Sequence, residues 1–116
     1  MDHGCFIGEI FGQTSSGGTA VFIDSNGRLG TTISSRRFKE GIKAMDDASE
    51  SLFALKPVTF RYKKEIDPLS ASQFGLVAED VEKVDSALVV HDKEGKPYSV
   101  RSDQVNTMLL KEFLKE

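Results

Sequence analysis

The sharpest structural signal in the sequence is Gln73-Phe74-Gly75-Leu76-Val77-Ala78-Glu79-Asp80-Val81. The apolar residues around Gly75 predict a short buried strand, and the glycine predicts close backbone packing or a turn. From Ala78 onward the residues favour a helix with carboxylates in its first turn. Upstream, residues 58–62 alternate β-branched, aromatic and charged side chains and predict a second strand, and the proline-containing stretch 66–72 predicts a loop. A strand, a loop and a strand that runs directly into a helix predict an α+β domain.

A hairpin and a terminal helix are expected after this stretch. The strand signals at 87–91 and 97–100 flank the turn sequence 93–96, which predicts a β-hairpin. Ser102 follows as the expected N-cap of a C-terminal helix. The apolar positions of that helix are Val105, Met108, Leu109, Leu110, Phe113 and Leu114. So wide an apolar face predicts either docking on the core or packing against symmetry mates in a bundle.

Two helices are expected in the middle of the chain. A first helix is predicted from Ser34, because apolar residues recur at helical spacing at Phe38, Ile42 and Met45. Asp47 fits the start of a capping box, so a second short helix is predicted between it and the proline at position 57.

Residues 1–33 are rich in glycine and in short strand signals. Strands are predicted at 5–11, 20–24 and 29–33, and the Asn26-Gly27 pair predicts a two-residue hairpin turn in which both residues have positive φ. The segment has few charges and little capacity to bury its own apolar side chains. We expect it to form a stalk or collar segment that neighbouring chains complete. The domain itself is expected over residues 34–116.

Composition narrows the function classes. The 116 residues make one ordinary domain, and a hydrophobic share of 39% predicts a thin core that oligomerisation would supplement. A net charge of −3 argues against nucleic-acid binding. No apolar run is long enough to span a bilayer, so no membrane partner is expected. Cys5 has no cysteine to pair with, and His3 and His91 lack ligand-like spacing, so we expect no metal or cofactor.

The residues most capable of chemistry are Ser34 and Lys39. A serine hydroxyl becomes nucleophilic when a base removes its proton, and a lysine does this once burial or cationic neighbours favour its neutral form. Arg36 and Arg37 supply such neighbours, and the expected helix N-terminus offers backbone N–H groups to a developing oxyanion. On spacing alone, the more common explanation is that Ser34 or Ser35 is an N-cap and Lys39 is a solvated lysine.

The order of several motifs along residues 34 to 116 carries a family resemblance. The matching residues are Ser34, Arg37, Lys39, Glu40 and Ile42, then Leu55, Pro57, Val58, Phe60 and Tyr62, then Gly75, Leu76, Val77, Ala78, Glu79 and Val81. Together they resemble the peptidase S74 family, also called the chaperone of endosialidase. The family commonly has Asp after the serine, and this chain has Ser35 there, which leaves Ser35 as an alternative nucleophile.

The resemblance implies a self-cleaving intramolecular chaperone. Such domains form homotrimers at the C-termini of phage tail spikes and tail fibres and of bacterial surface proteins, guide assembly of the trimeric stalk before them, and release themselves by autoproteolysis. It further implies a Ser-Lys dyad, with Ser34 as nucleophile, Lys39 as general base and the bond between Ile33 and Ser34 as the cleavage site. The implied partners are its own copies and the upstream part of the parent chain, and no small-molecule substrate is implied. The implied location is a virion tail or a bacterial surface, with cytoplasmic assembly for a phage protein.

Two alternatives remain open at this stage. A trimerisation or adhesin-tip module of the same fold would assemble without cleaving and would keep its full mass. An unrelated binding module would be monomeric, with Lys39 far from Ser34.

Overall fold

The computed structural model describes residues 4–115. They divide into two compact units, one ending at Phe38 and the other beginning at Lys39. The elements in chain order are β1 (Val21–Ile23), β2 (Leu29–Thr31), a 3-10 turn (Arg36–Phe38), a 3-10 helix (Asp47–Ala54), β3 (Val58–Phe60), β4 (Gln73–Gly75), α1 (Ala78–Val84), a 3-10 turn (Ser86–Leu88), β5 (Val89–His91), β6 (Pro97–Val100) and α2 (Ser102–Leu114). The six strands of the described residues form three antiparallel pairs, β1–β2, β3–β4 and β5–β6. The predicted α+β class with a C-terminal helix is confirmed.

The hairpin β1–β2 organises the first unit. Ile23 pairs with Leu29, and the side chain of Asp24 accepts hydrogen bonds from the backbone N–H groups of Asn26 and Arg28, both at 2.9 Å. Gly27 has a φ of 83°, whereas Asn26 is outside the left-handed region. The predicted two-residue turn is therefore wrong: the loop is longer, and its glycine alone takes the left-handed conformation.

Two other predictions for the first 45 residues are also wrong. Residues 5–11 form turns instead of a strand, and the left-handed φ values of Glu9 (63°) and Gly12 (89°) interrupt any extended run. The helix predicted from Ser34 is reduced to the turn Arg36–Phe38. Gly41 interrupts it with a φ of 64°, and short helices need an apolar face packed on a core to be stable.

The core of the second unit is small. Its buried apolar residues are Val81, Leu88, Val89 and Met108. They come from α1, from the segment that leads into β5, and from α2, and apolar residues such as Val100 and Val105 pack around them. A core of this size leaves many apolar side chains of the unit in contact with solvent.

The 3-10 helix Asp47–Ala54 replaces the second predicted helix. Its N-cap is Asp46, whose side chain accepts a hydrogen bond from the N–H of Ala48 at 3.4 Å, so the capping box expected at Asp47 is wrong by one residue. The helix ends in extended backbone at Leu55, two residues before Pro57, as the steric restriction before proline requires.

The pair β3–β4 brackets the predicted loop. Val58 lies opposite Gly75, where a Cβ would come within 3.0 Å of the Phe60 ring, so the close backbone packing expected at this glycine is confirmed. Phe74 on the same strand is 89% exposed, which contradicts the expectation of a buried strand. The two strands form a two-stranded ribbon with one face open to solvent.

The pair β5–β6 confirms the C-terminal hairpin. Val89 lies opposite Val100, and Pro97 begins β6, a position at which the missing N–H does not interrupt the ladder. Helix α2 starts at Ser102, so this residue is the first of the helix and Arg101 occupies the N-cap position without a side-chain cap. The predicted serine cap is therefore wrong, although the helix itself is present.

Candidate functional site

The segment that carries the predicted chemistry is exposed throughout. After β2, residues 32–34 have no regular structure, and the 3-10 turn that follows is closed by a hydrogen bond of 3.0 Å from the N–H of Phe38 to the C=O of Ser35. Every residue from 32 to 40 is accessible to solvent. The residues on both sides of the Ile33–Ser34 bond are therefore exposed.

Arginine side chains surround the turn. The guanidinium of Arg37 lies 4.5 Å from the centroid of the Phe38 ring, an arrangement that places its charge over the aromatic face. Arg36 is exposed beside it. The effect of these two charges on Ser34 and Lys39 stays a prediction.

Ser34 and Lys39 lie at the junction of the two units. Ser34 belongs to the first unit, and Lys39 is the first residue of the second. The predicted helix N-terminus beside Ser34 is reduced to the single 3-10 turn Arg36–Phe38. The pairing of Ser34 with Lys39 stays a prediction, as does the alternative nucleophile Ser35.

A family model matches residues 34–90, and its description is Peptidase S74, chaperone of endosialidase. The chain carries a peptidase S74 domain. No curated protein matches the chain. The matched part of the S74 domain begins at Ser34 and extends into β5, so it includes the β3–β4 pair and α1.

A groove of about 530 Å³ lies on the second unit of the chain, with β4 and β6 among its walls. Its aromatic lining is formed by Phe60, Tyr62, Phe74 and Tyr98. The rings of Phe60 and Tyr62 meet edge to face, with centroids 5.1 Å apart. Sequence analysis predicted a strand for Phe60 and Tyr62 and a buried strand for Phe74. It did not foresee the groove, because that depends on the contact between distant hairpins.

A polar cluster joins α2 to the 3-10 helix of the S74 domain. The buried hydroxyl of Ser49 donates to the Glu112 carboxylate at 3.3 Å, and the Lys115 ammonium lies 2.7 Å from the same carboxylate oxygen. The Lys111 ammonium donates to the backbone C=O of Asp46 at 2.9 Å. These contacts fix the terminal helix, and their separation of more than 60 positions in the sequence left no local signal.

The contacts in this cluster shift the pKa values of Glu112 and Lys115. The hydrogen bond from Lys115 is the main cause that holds the pKa of Glu112 below its ordinary value of 4.5, against the opposing effect of desolvation. The hydrogen bond to Glu112 raises the pKa of Lys115 above 10.5. Both shifts favour the charged forms. A second acid–base contact, between His91 on β5 and the Glu82 carboxylate on α1, is a hydrogen bond within the core-forming part of the domain.

The described residues hold neither a metal-binding cluster nor a membrane-spanning helix. Among residues 4–115, no group of three or more His, Cys, Asp and Glu side chains is arranged to hold a metal ion. In the same part of the chain, no helix has the length and apolar character needed to cross a membrane.

Proposed function

We propose that the chain is a self-cleaving intramolecular chaperone that assembles as a homotrimer and is released from its parent protein between Ile33 and Ser34. The observation that carries the proposal is the start of the family match at Ser34, the residue at which cleavage would create a new N-terminus. The exposure of the residues on both sides of that bond is a second support. The parent protein would be a phage tail spike or fibre or a bacterial surface protein.

The proposed reaction needs no external substrate. The Ser34 hydroxyl oxygen attacks the carbonyl carbon of Ile33 while Lys39 accepts the hydroxyl proton, and an ester replaces the amide bond as Lys39 returns the proton to the Ser34 amine. Water then hydrolyses the ester, which leaves the Ile33 carboxylate and the Ser34 hydroxyl. Arg36 and Arg37 disfavour a second positive charge nearby and so favour neutral Lys39.

Intact mass spectrometry tests the cleavage. The chain is expressed behind a folded N-terminal tag as the wild type and as Ser34→Ala, Ser35→Ala, Lys39→Ala and Lys39→Arg. The wild type and Ser35→Ala should yield a fragment that begins at residue 34, and the other three should stay intact, because arginine keeps the charge but cannot act as a base. A cut in Ser34→Ala that Ser35→Ala abolishes would move the nucleophile to Ser35.

A second candidate function is a trimerisation module that does not cleave. The exposed apolar side chains of both units favour it, because they need partners whether or not the chain is cut. Light scattering on the same samples separates the candidates. An uncut wild type with three times the combined mass of the tag and the 12.8 kDa chain would support this function, and a monomeric wild type would contradict both.

A further inference from the structure

The aromatic groove of the second unit lacks a partner in the described residues. Phe74 is 89% exposed and Tyr98 is 75% exposed, although both line a concave surface together with Val77 and Val100. Exposed aromatic side chains in a groove are typical of a binding surface, because they bury a large area with little loss of conformational entropy. The surface therefore has the composition of an interface.

The groove carries no charge. None of its lining residues is acidic or basic, and its polar lining side chains are Gln73, Ser99 and Ser102. A charged segment would lose its hydration there without gaining an ion pair, so the occupant should be uncharged where it enters. This requirement excludes the apolar residues of the loop 63–69 and of α2, because charged side chains lie among them.

The N-terminal hairpin meets the requirement. Its two strands contain no charged side chain, because its charged residues, Asp24 and Arg28, lie in the loop between them. Val21, Ile23 and Leu29 on the strands are each more than 60% exposed. An isolated two-stranded hairpin is marginally stable and needs a further surface to pack on.

Backbone pairing provides a second match. Strands β4 and β6 line the groove, and each is hydrogen-bonded to one neighbouring strand in the described residues, as are β1 and β2. A strand with one unpaired edge accepts another strand through its backbone N–H and C=O groups, and a groove for side chains beside it adds specificity.

A three-fold assembly allows a neighbouring copy to supply the hairpin. In a three-fold assembly, a patch away from the axis contacts a different patch of the next copy, because only two-fold contacts pair a patch with itself. The groove would therefore receive a different segment of a neighbouring chain. We propose that the groove lined by Phe74 and Tyr98 binds the hairpin Val21–Thr31 of a neighbouring copy. This inference rests on the proposed function only for the three-fold assembly.

Site-specific photocrosslinking tests the contact. Tyr98 is replaced by p-benzoylphenylalanine in the full chain with Ser34→Ala, so that cleavage cannot separate hairpin from groove. Isotope-labelled and unlabelled copies are mixed, irradiated and mapped by mass spectrometry. We expect crosslinks between a labelled and an unlabelled copy that end within residues 21–31. Intermolecular crosslinks confined to other residues, or crosslinks within one copy alone, would overturn the inference.

Matched substitutions give a second readout. Adding Ile23→Ser to the crosslinking chain should lower the yield about tenfold, because an apolar anchor is lost from the occupant. Phe53→Ser, which changes an aromatic residue 76% exposed outside the groove, should leave the yield unchanged. Equal yields from Ile23→Ser and Phe53→Ser would count against the hairpin. A monomeric wild type would contradict the proposed trimer, whereas a trimer crosslinked elsewhere would contradict only this inference.

Discussion

The buried residues of the second unit make its stability depend on few side chains. Leu88 is 2% exposed and packs with Val81, Val89 and Met108, so truncation leaves a cavity that so small a core cannot fill. Leu88→Ala should lower the free energy of unfolding by about 2–5 kcal/mol in urea titrations. Leu69→Ala, at a side chain 87% exposed, should change it by less than about 0.5 kcal/mol. Similar losses from both would show that Leu88 is not a core residue.

The Glu112 cluster predicts a pH dependence. The depressed pKa of Glu112 gives stability that is complete above the ordinary carboxyl value of 4.5 and is lost as the pH falls through the folded-state pKa. The raised pKa of Lys115 gives stability that is complete below 10.5 and is lost as the pH rises through its own folded-state pKa. The contact between Glu112 and Lys115 therefore stabilises the fold at pH values between the two folded-state pKa values.

Thermal melts of Glu112→Gln test the loss of stability at low pH. At pH 7 the variant should melt below the wild type, because it lacks the carboxylate that Ser49 and Lys115 contact. The difference should shrink as the pH falls from 4.5 through the lower folded-state pKa, because the wild-type carboxyl then becomes protonated. A difference that is constant from pH 7 to pH 3 would contradict the assignment. Glu94→Gln, at an exposed loop position, is the matched control.

Residue-level predictions succeeded where the signal was local. Gly75 was expected to mark close packing because a glycine inside a strand removes a Cβ, and the Phe60 ring occupies that space. Phe74 looked like a core residue because its neighbours in sequence are apolar, yet its strand has one face open. The contact of Ser49 with Glu112 was not predictable, since it depends on how a helix docks 63 positions away.

At the scale of elements, the two hairpins with short loops share the same loop structure. The loops Asp24–Arg28 and Asp92–Lys96 each begin with an aspartate whose side chain accepts two backbone N–H hydrogen bonds, and each has glycine at the fourth position with a φ above 80°. The shared pattern, Asp-x-x-Gly followed by a basic residue, was visible in the sequence. Its repetition in the two hairpins indicates the longer loop at Asn26-Gly27.

The glycine of the second loop gives a prediction at this scale. Gly95→Ala should destabilise the domain by about 1–2 kcal/mol in urea titrations, because a Cβ is unfavourable at a φ of 81°. Gly95→Asn should recover most of the loss, because asparagine tolerates the left-handed conformation. Space does not explain the difference, as no atom lies within 4 Å of the point that a Cβ would occupy at Gly95. Equal losses from Ala and Asn would contradict the assignment.

The helix predicted from Ser34 does not form, because its apolar residues have no surface to pack on. Its apolar spacing was correct, but Phe38 and Ile42 remain about half exposed, so no tertiary surface offsets the entropy cost of the helix. Helices α1 and α2 formed where Val81 and Met108 reach the core. Periodicity predicted which residues share a face, and packing determined whether the element exists.

At the scale of the whole molecule, apolar exposure predicts coupling between stability and assembly. The first unit buries none of its described residues, and Phe6, Phe11 and Ile23 are all more than half exposed. Partner chains that cover such residues bind only the folded state, so the melting temperature should rise with protein concentration. Scanning calorimetry across a hundredfold dilution checks this, and a melting temperature independent of concentration would indicate a monomer.

The groove also gives the molecule a built-in optical probe. The chain has no tryptophan, and its two tyrosines, Tyr62 and Tyr98, both line the groove. All of its tyrosine fluorescence and nearly all of its absorbance at wavelengths near 280 nm therefore originate at one surface. Quenching by iodide would report whether that surface is covered, without a label, in any chain that keeps both tyrosines.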